Sequence, residues 1–290
     1  MSKKVVMIVN IHKKNAEKAA SEIHSELAKF TDDISIFFTP FSFDGNPAKL
    51  PEKLTEEKWD IAFSLGGDGT VLYTARHFAP LGVPILPVNL GTLGFIAEVD
   101  KKECLDVFFK WEKGEITPTR RCMLEISVER NSKIIMNEAC LNDAVISYSQ
   151  IAKLIKLDVK IDKNTALGSY RCDGLVIATP TGSTAYSMAA GGPILDPEME
   201  AMILNPICPF ALSNRPFVLP SRQTLTITVA DEQRSEVLLT VDGQDTFQLE
   251  CQDIIYIKQA PYFAELIFNG RSMYYQALRT KLFWSGDVNA

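Results

Sequence analysis

Residues 61–70 read Ile-Ala-Phe-Ser-Leu-Gly-Gly-Asp-Gly-Thr, an apolar run that leads directly into a glycine-rich turn. Glycines between a strand and a helix leave backbone N–H groups free to point at a phosphate. A carboxylate inside such a turn repels a phosphate unless it binds a metal or transfers a proton. Asp68 therefore predicts a loop that acts on a nucleotide. The alternative is that Asp68 only caps a helix that begins near Thr70.

The segments on either side of this turn alternate between strand and helix patterns. Apolar runs predict strands over residues 5–9, 34–38, 61–65 and 85–88. Helical spacing of Ala16, Ala19, Ala20, Ile23 and Leu27 predicts an amphipathic helix of about fifteen residues, and further helices are expected over residues 70–77 and 102–112. This order is typical of a Rossmann-like open parallel sheet, an α/β domain with ligands at the carboxyl ends of its strands.

Past Thr119 the hydrophobic pattern changes to a period of two. Apolar and polar residues alternate over 124–128, 155–161 and 225–229, which predicts a mainly antiparallel all-β C-terminal domain. The predicted nucleotide-binding domain is residues 1–118, with the segment 263–290 packing back onto it. The predicted β-rich domain is residues 119–262.

The composition is that of an ordinary globular protein, with 290 residues, 23% charged and 46% hydrophobic. The net charge of −6 lacks the basic surplus that a nucleic-acid partner requires. The apolar run over 5–9 is too short for a signal peptide or a membrane span, so no membrane association is expected. Six scattered cysteines without metal spacing predict free, buried thiols in a reducing cytoplasm, and no zinc site.

Two further stretches rich in glycine and threonine follow apolar strands. Residues 89–95 read Asn-Leu-Gly-Thr-Leu-Gly-Phe, which by itself favours a tight loop with left-handed glycine. Residues 173–193 end a strand in small hydroxyl residues and glycine before a helix start, so that backbone and hydroxyl groups can approach a ligand closely. The alternative for this second stretch is a solvent-facing Ser/Thr loop.

The pair Asn142-Asp143 lies between two short apolar stretches. Its position predicts either a strand bulge that faces a pocket or a simple turn. An amide beside a carboxylate can contact the edge of a base or the diol of a ribose.

With these motifs the chain resembles the NAD kinases, ATP-dependent enzymes that phosphorylate NAD to NADP. The resemblance spans nearly the whole chain and is carried by residues 66–70, 89–95, 142–143, 173–193 and 242–244. It implies transfer of the γ-phosphoryl group of ATP to the 2′-hydroxyl of the adenosine ribose of NAD. It also implies Mg²⁺ with the ATP, and a cytoplasmic homodimer or homotetramer.

The resemblance further implies roles for individual residues. Asp68 is expected to be the catalytic residue that takes the hydroxyl proton and can help to hold magnesium, with Gly69 beside it at the nucleotide. Asn142 and Asp143 are expected to hold the ribose and adenine side of NAD. Arg171 and Asp173 are expected to reach the nicotinamide end, in the family often from a neighbouring subunit. The remaining implied NAD-binding residues are Lys153, Thr184, Ala185, Tyr186, Ser187, Met188, Ala189 and Gln244.

The chain departs from the family pattern at two places. The family usually has Asn-Glu where this chain has Asn142-Asp143, which moves the carboxylate back by one methylene and predicts a looser or water-bridged contact. Met188-Ala189 stands where a serine is common, which argues against a hydroxyl role at position 189.

Two other functions share some of these features. A lipid kinase of the diacylglycerol or sphingosine type has the same Gly-Gly-Asp-Gly-Thr loop, but no basic amphipathic helix is evident here to bind a membrane. A non-catalytic dinucleotide sensor would use the same fold but is expected to have replaced the acid at position 68. A dehydrogenase is disfavoured because the turn is not Gly-x-Gly-x-x-Gly.

Overall fold

The computed structural model describes residues 3–39, 50–92, 94–148, 154–162, 165–211, 213–231, 236–270 and 272–282. The chain divides into two compact units. Among the described residues, unit 1 is formed by those up to 120 together with those from 264 onward, and unit 2 by those from 121 to 263. None of the described helices combines the length and the apolar character that crossing a membrane requires.

Unit 1 is an α/β structure with a parallel sheet. Its strands are β1 (Val5–Asn10), β2 (Ile34–Thr39), β3 (Ile61–Gly66), β4 (Ile85–Asn89) and β5 (Val99–Asp100). Its helices are α1 (Ala16–Leu27), α2 (Glu52–Glu56), α3 (Asp68–Phe78), α4 (Cys104–Glu112) and α6 (Ser272–Leu282). The strands pair in the order β2-β1-β3-β4-β5, all parallel.

Burial explains why these segments form these elements. Every residue of β3 is buried, as expected for a central parallel strand covered on both faces. Helix α1 buries Ala16, Ala19, Ala20, Ile23 and Leu27, the set that its helical spacing predicts. Helix α6 belongs to unit 1 and buries Tyr274, Ala277 and Leu278. Phe283 and Trp284, which continue its apolar pattern, lie outside the described residues.

Two helices begin elsewhere than the sequence predicted. Helix α3 starts at Asp68 and not at Thr70, because Gly67 is extended and turns the chain directly from β3 into the helix. Helix α4 starts at Cys104 and not at Lys102, because residues 101–103 form a turn in which the Lys102 N–H donates to the Asp100 carboxylate at 2.8 Å. The short elements α2 and β5 were not predicted.

Unit 2 consists mainly of antiparallel strands, as the period of two predicts. Its strands are β6 (Thr119–Arg130), β7 (Lys133–Cys140), β8 (Asp143–Tyr148), β9 (Ile155–Ile161), β10 (Thr165–Cys172), β11 (Gly174–Ala178), β12 (Ala201–Ile207), β13 (Phe217–Pro220), β14 (Leu225–Val229), β15 (Val237–Val241), β16 (Asp245–Leu249) and β17 (Ile254–Leu266). A short 3-10 helix (Thr181–Thr184) and helix α5 (Tyr186–Ala189) follow β11. The strands at the two ends of this set, β6 and β17, extend a few residues into unit 1.

Six strands of unit 2 form one antiparallel sheet, in the order β13-β12-β11-β8-β15-β16. The others pair in the order β10-β9-β14-β17, and β17 also pairs with β6. The alternating residues of β6, β9 and β14, such as Leu124, Leu157 and Ile227, share one buried cluster with Ile146 of β8 and Leu175 of β11. The fold class is therefore as predicted: an α/β N-terminal part and a mostly antiparallel β C-terminal part.

The cysteines are all free, but not all of them are buried. Cys208 and Cys251 are exposed, so the prediction of buried thiols is wrong for these two. Cys208 lies just after β12 and Cys251 just after β16, in connections that leave the side chain at the surface.

Candidate functional site

Asp68 is the first residue of α3, and its half-buried carboxylate binds a loop of the same unit. Oδ2 accepts a hydrogen bond from the Phe95 N–H at 2.9 Å. Oδ1 accepts from the N–H groups of Ile96 at 3.1 Å and Ala97 at 2.8 Å. The interpretation of Asp68 as a helix N-cap is wrong, because Gly67 occupies the cap position. Its negative charge in the first turn still suits the positive end of the helix dipole.

The Asn89 side chain, at the start of the loop that Asp68 binds, also forms hydrogen bonds to this loop. The Asn89 side chain accepts from the Gly91 N–H at 2.7 Å and donates to the carbonyls of Thr92 and Ala97, both at 2.9 Å. A Cβ at Gly94 would overlap the Asp68 carboxylate. Gly91 and Gly94 do not have positive φ angles, so the predicted left-handed glycine is wrong. Gly94 is needed for the close approach of the loop to Asp68.

A lysine that the sequence analysis missed lies beside the glycine turn. The Lys13 ammonium is 3.4 Å from the position that a Cβ would take at Gly67, and 3.9 Å from that position at Gly91. Lys13 follows β1, so its charge lies at the carboxyl end of the sheet of unit 1, next to the start of α3. A cation and backbone N–H groups together form a setting suited to phosphate oxygens.

The glycines of this turn differ in what they do. Gly69 is exposed, and Gly67 is half-buried with its N–H bonded to the Thr70 hydroxyl at a long 3.4 Å. Gly66 ends β3, and a Cβ there would overlap the Thr70 side chain. Gly66 is thus required by packing between the strand and the helix, whereas Gly67 and Gly69 lie closer to the surface at the start of α3.

In unit 2, Asn142 and Asp143 lie at the bend between β7 and β8, and Asp143 begins β8. The turn interpretation is therefore correct and the bulge interpretation is wrong. The Asp242 carboxylate accepts from the backbone N–H groups of Leu141 at 3.1 Å, Asn142 at 2.7 Å and Asp143 at 3.2 Å. A buried carboxylate from a hairpin about one hundred residues away thus shapes this bend.

The Asp143 carboxyl group is buried, with 5% of the residue exposed. Burial, and to a smaller extent the nearby Asp242 charge, raise the pKa of Asp143 to about 7, although a hydrogen bond from the Tyr186 backbone N–H acts in the opposite direction. At neutral pH this group is therefore divided between a carboxylate, which only accepts hydrogen bonds, and a carboxylic acid, which can also donate one.

The stretch after β11 is buried, so the interpretation as a solvent-facing loop is wrong. Thr179, Thr181, Ser183 and Thr184 are all buried. The Thr179 hydroxyl donates to the Leu141 carbonyl and accepts from the Gly182 N–H at 3.0 Å. A Cβ at Gly182 would overlap the Asn142 backbone. This stretch consequently packs directly against the bend that carries Asn142.

Two oxygen atoms in this region are buried without a hydrogen-bond partner among the described residues. They are Oδ1 of Asn142 and the hydroxyl oxygen of Thr181. An unpaired buried polar atom costs on the order of 1–3 kcal/mol, so both are suited to accept from a ligand or an ordered water.

The other implied site residues of unit 2 have varied surroundings. Thr184 and Ser187 are buried, Ala185 and Met188 half-buried, and Tyr186 and Ala189 exposed. The Asn205 amide donates to the Ser187 carbonyl at 2.9 Å and so holds α5. Arg171 is exposed, with its guanidinium 5.0 Å from the centre of the Phe210 ring, and Asp173 and Gln244 are half-buried. Lys153 lies outside the described residues.

The structure therefore brings the implied residues together in two groups, one in each unit. Asp68 and Gly69 lie with Lys13 and the 89–97 loop in unit 1. Asn142 and Asp143 contact the 179–186 stretch and Asp242 in unit 2. The roles of Lys13, Thr179 and Asp242 were missed. Only Asp242 had a local signal, because Asp-Gly is a hairpin-turn sequence and both Asp242 and Gly243 have positive φ angles.

Comparison with known proteins gives consistent matches over both units. Residues 16–116 match the family model of the ATP-NAD kinase N-terminal domain, and residues 141–268 match that of the ATP-NAD kinase C-terminal domain. An NAD kinase of Treponema denticola is 42% identical over 285 residues, which is 98% of each chain. An NAD kinase of Geobacter sulfurreducens is 36% identical over 97% of this chain and 99% of its own.

Solved structures agree with these matches. The crystal structure of yeast NADH kinase complexed with NADH has a TM-score of 0.86 and 27% identity, over 100% of this chain and 90% of that chain. An NAD kinase from Archaeoglobus fulgidus in complex with ATP has a TM-score of 0.71 and 22% identity, over 96% of this chain and 98% of that one. At that identity the second match shows a shared fold.

Proposed function

This chain belongs to the NAD kinase family and is an ATP-dependent NAD kinase, and we propose that Asp68 accepts the proton of the attacking hydroxyl. The reaction moves the γ-phosphoryl group of ATP to the 2′-hydroxyl of the adenosine ribose of NAD. The matches over nearly the whole chain do not support a lipid kinase or a non-catalytic sensor.

The observation that supports the proposed role of Asp68 is that three backbone N–H groups donate hydrogen bonds to its carboxylate. A carboxylate has about four acceptor positions. Three N–H groups of the 95–97 segment occupy two positions on Oδ1 and one on Oδ2. One position on Oδ2 remains for the hydroxyl proton. Because the three bonds fix the carboxylate before substrate arrives, little orientation entropy is lost when the reaction begins.

Phosphoryl transfer passes through a loose transition state, so the protein mainly positions groups and stabilises charge. We assign this task to the N–H groups of Gly67 and Gly69 and to the Lys13 ammonium. Their placement at the start of α3 suits the negative charge of the triphosphate.

Magnesium is expected to enter with ATP and to supply charge neutralisation on the phosphates. Among the residues that the structure describes, no group of three or more acidic, His or Cys side chains is gathered for a metal. This fits a cation that is held mainly by the nucleotide and water, because the one open position on the Asp68 carboxylate is assigned to the hydroxyl proton.

For NAD itself we propose Asn142, Asp143 and the residues 184–189 as the core of the binding site. The unpaired oxygens of Asn142 and Thr181 support this assignment, because they accept hydrogen bonds and NAD offers an amino group and ribose hydroxyls as donors. Arg171, Asp173, Gln244 and Lys153 remain predictions from the family resemblance. With its pKa near 7, Asp143 can offer a donor that a fully ionised glutamate does not.

The direct test measures NADP formed by the purified chain from NAD, ATP and Mg²⁺, with diacylglycerol or sphingosine as alternative acceptors. Asp68→Asn keeps the size of the side chain and removes the base, and it also replaces one of the two oxygens that accept the N–H groups of residues 95–97. We expect kcat to fall by about 10²-fold or more with the KM for NAD largely kept.

The matched control is Asp100→Asn, because Asp100 also accepts a backbone N–H in unit 1 but lies outside the turn. Both variants are checked for native circular dichroism. Near-normal turnover by a folded Asp68→Asn variant would remove Asp68 from the catalytic role.

The reducing cytoplasm and a homodimer or homotetramer are also proposed for this enzyme, from the free cysteines and from the family resemblance. Cell fractionation tests the compartment. Light scattering of the purified chain tests the assembly.

A further inference from the structure

Asp242 is not among the residues expected to contact NAD, yet it determines the backbone geometry of two that are. It is buried, with 7% of its surface exposed, and lies at the turn between β15 and β16. Its carboxylate accepts all three N–H groups of the bend formed by residues 141–143.

Asp242 and Thr179 also bond the three carbonyl groups of the same bend. The Asp242 N–H donates to the Asp143 carbonyl at 2.8 Å, and the Thr179 N–H donates to the Asn142 carbonyl at 2.8 Å. The Thr179 hydroxyl donates to the Leu141 carbonyl. All six backbone polar groups of residues 141–143 are therefore bonded to Asp242 or Thr179.

This arrangement leaves the side chains of Asn142 and Asp143 to be positioned by two residues that need not touch the substrate. We propose that Asp242, assisted by Thr179, is a positioning residue for NAD binding and sets the directions in which Asn142 and Asp143 present their polar atoms. The inference rests on the proposed role of Asn142 and Asp143 as NAD ligands.

The electrostatics of the bend support the same assignment. Asp242 lies close enough to raise the pKa of Asp143, so one carboxylate influences both the geometry and the protonation of the ligand pair. In metal sites, residues that hydrogen-bond to the ligand-binding groups without touching the ligand commonly contribute about 10–100-fold to affinity. We expect an effect of similar size on NAD affinity here.

The test variant is Asp242→Asn, which preserves size and replaces one acceptor oxygen by an NH₂ donor. The amide cannot accept all three N–H bonds, so the bend must shift. We expect the KM for NAD to rise about tenfold or more, while the KM for ATP stays within about twofold of the wild-type value. A purely structural defect would lower the active fraction and leave both KM values unchanged.

The matched control is Asp253→Asn. Asp253 is also fully buried in unit 2 and accepts a backbone N–H, that of Glu250 at 2.8 Å, but its side chain bonds Arg130 and not the 141–143 bend among the described residues. This control is expected to lower the unfolding temperature without changing the KM for NAD.

If the Asp242→Asn variant does not fold, variants of Thr179 test the same positioning role. Thr179→Val removes the hydroxyl that bonds the Leu141 carbonyl, and Thr179→Ser retains it. We expect the valine variant to raise the KM for NAD and the serine variant to restore it.

The outcomes separate this inference from the proposed NAD site. If Asn142→Ala raises the KM for NAD but folded Asp242→Asn and Thr179→Val do not, Asp242 and Thr179 do not position the pair. Equal increases in both KM values for Asp242→Asn would also overturn the inference. An unchanged KM in Asn142→Ala would overturn the proposed NAD site, and the positioning role with it.

Discussion

Asp143 titrates in a very different setting from an exposed carboxyl group. An aspartate in an unfolded chain has a pKa of about 3.9. Burial, with the Asp242 charge as the second cause, raises that of Asp143 to about 7 in the folded protein. Between these values the folded chain binds more protons at this site than the unfolded chain. The group therefore stabilises the fold at low pH, and that stabilisation is lost as the pH rises from about 4 to about 7.

We expect Asp143→Asn to remove this loss, because an amide does not ionise. The free energy of unfolding of the variant, minus that of the wild type, should increase as the pH rises from 4.5 to 7.5. The local slope for a single group is at most about 1.4 kcal/mol per pH unit. Urea denaturation of both proteins at several pH values measures the difference. Parallel stability curves across this range would show that Asp143 ionises normally.

At this scale the sequence was informative about residues with a local signature. Asp68, Asn142 and Asp143 were located because each interrupts an apolar pattern at a turn. The bonds that hold them were not predicted, because the Asp68 bonds span 27–29 residues and the Asp242 bonds span 99–101. No local spacing connects residues that far apart, and the contacts exist only after the strands have paired.

At the scale of elements, the 89–97 loop is shaped by what it packs against. Its seven-residue motif has two glycines of different importance. A Cβ at Gly94 would overlap the Asp68 carboxylate, whereas a Cβ at Gly91 meets only ordinary contacts near 4 Å. The distinction cannot be read from the sequence, in which the two positions look equivalent.

We expect Gly94→Ala to displace the loop from Asp68 and Gly91→Ala to be tolerated. The first variant should lose about 1–3 kcal/mol of stability and at least about tenfold in kcat, because the carboxylate loses its fixed orientation. The second should remain within about 0.5 kcal/mol of the wild type. Thermal unfolding and steady-state kinetics measure both effects. Equal effects of the two substitutions would contradict the steric explanation.

Helices and strands with a clear hydrophobic period could be predicted from the sequence, and those without one could not. Strands β1, β3 and β4, helix α1 and strands β6, β9 and β14 have strong patterns, and each was predicted, whereas β15 and β17, whose burial alternates, were not. Helix α2 is five residues long and buries none of them, and β5 has two residues, so neither carries a pattern of detectable length. The start of α3 was misplaced because glycine at the cap leaves no side-chain signal.

For the molecule as a whole, thiol reactivity gives a simple test of the fold. Burial raises the pKa of Cys104 and Cys172 to about 12 and that of Cys122 to about 11, and Cys140 is also buried. Cys208 and Cys251 are exposed. A thiolate is the reactive form, so the buried groups should react slowly while the chain is folded.

A disulfide reagent at pH 8 should therefore modify two thiols rapidly in the native protein and all six in denaturant. Replacing Cys208 and Cys251 by serine should abolish the rapid phase without affecting the total for the remaining four. A rapid phase of more than two thiols would show that a buried strand or helix opens on the time scale of the reaction.

The three N–H groups bonded to Asp68 also make this carboxylate, the proposed catalytic base, observable by spectroscopy. Their nuclear magnetic resonances respond to the charge and orientation of the acceptor, and their exchange with deuterated solvent is slow only while the bonds persist. The amide protons of Phe95, Ile96 and Ala97 thus form a native reporter. They would reveal, without any label at the active residue, whether the carboxylate keeps its orientation as each substrate binds.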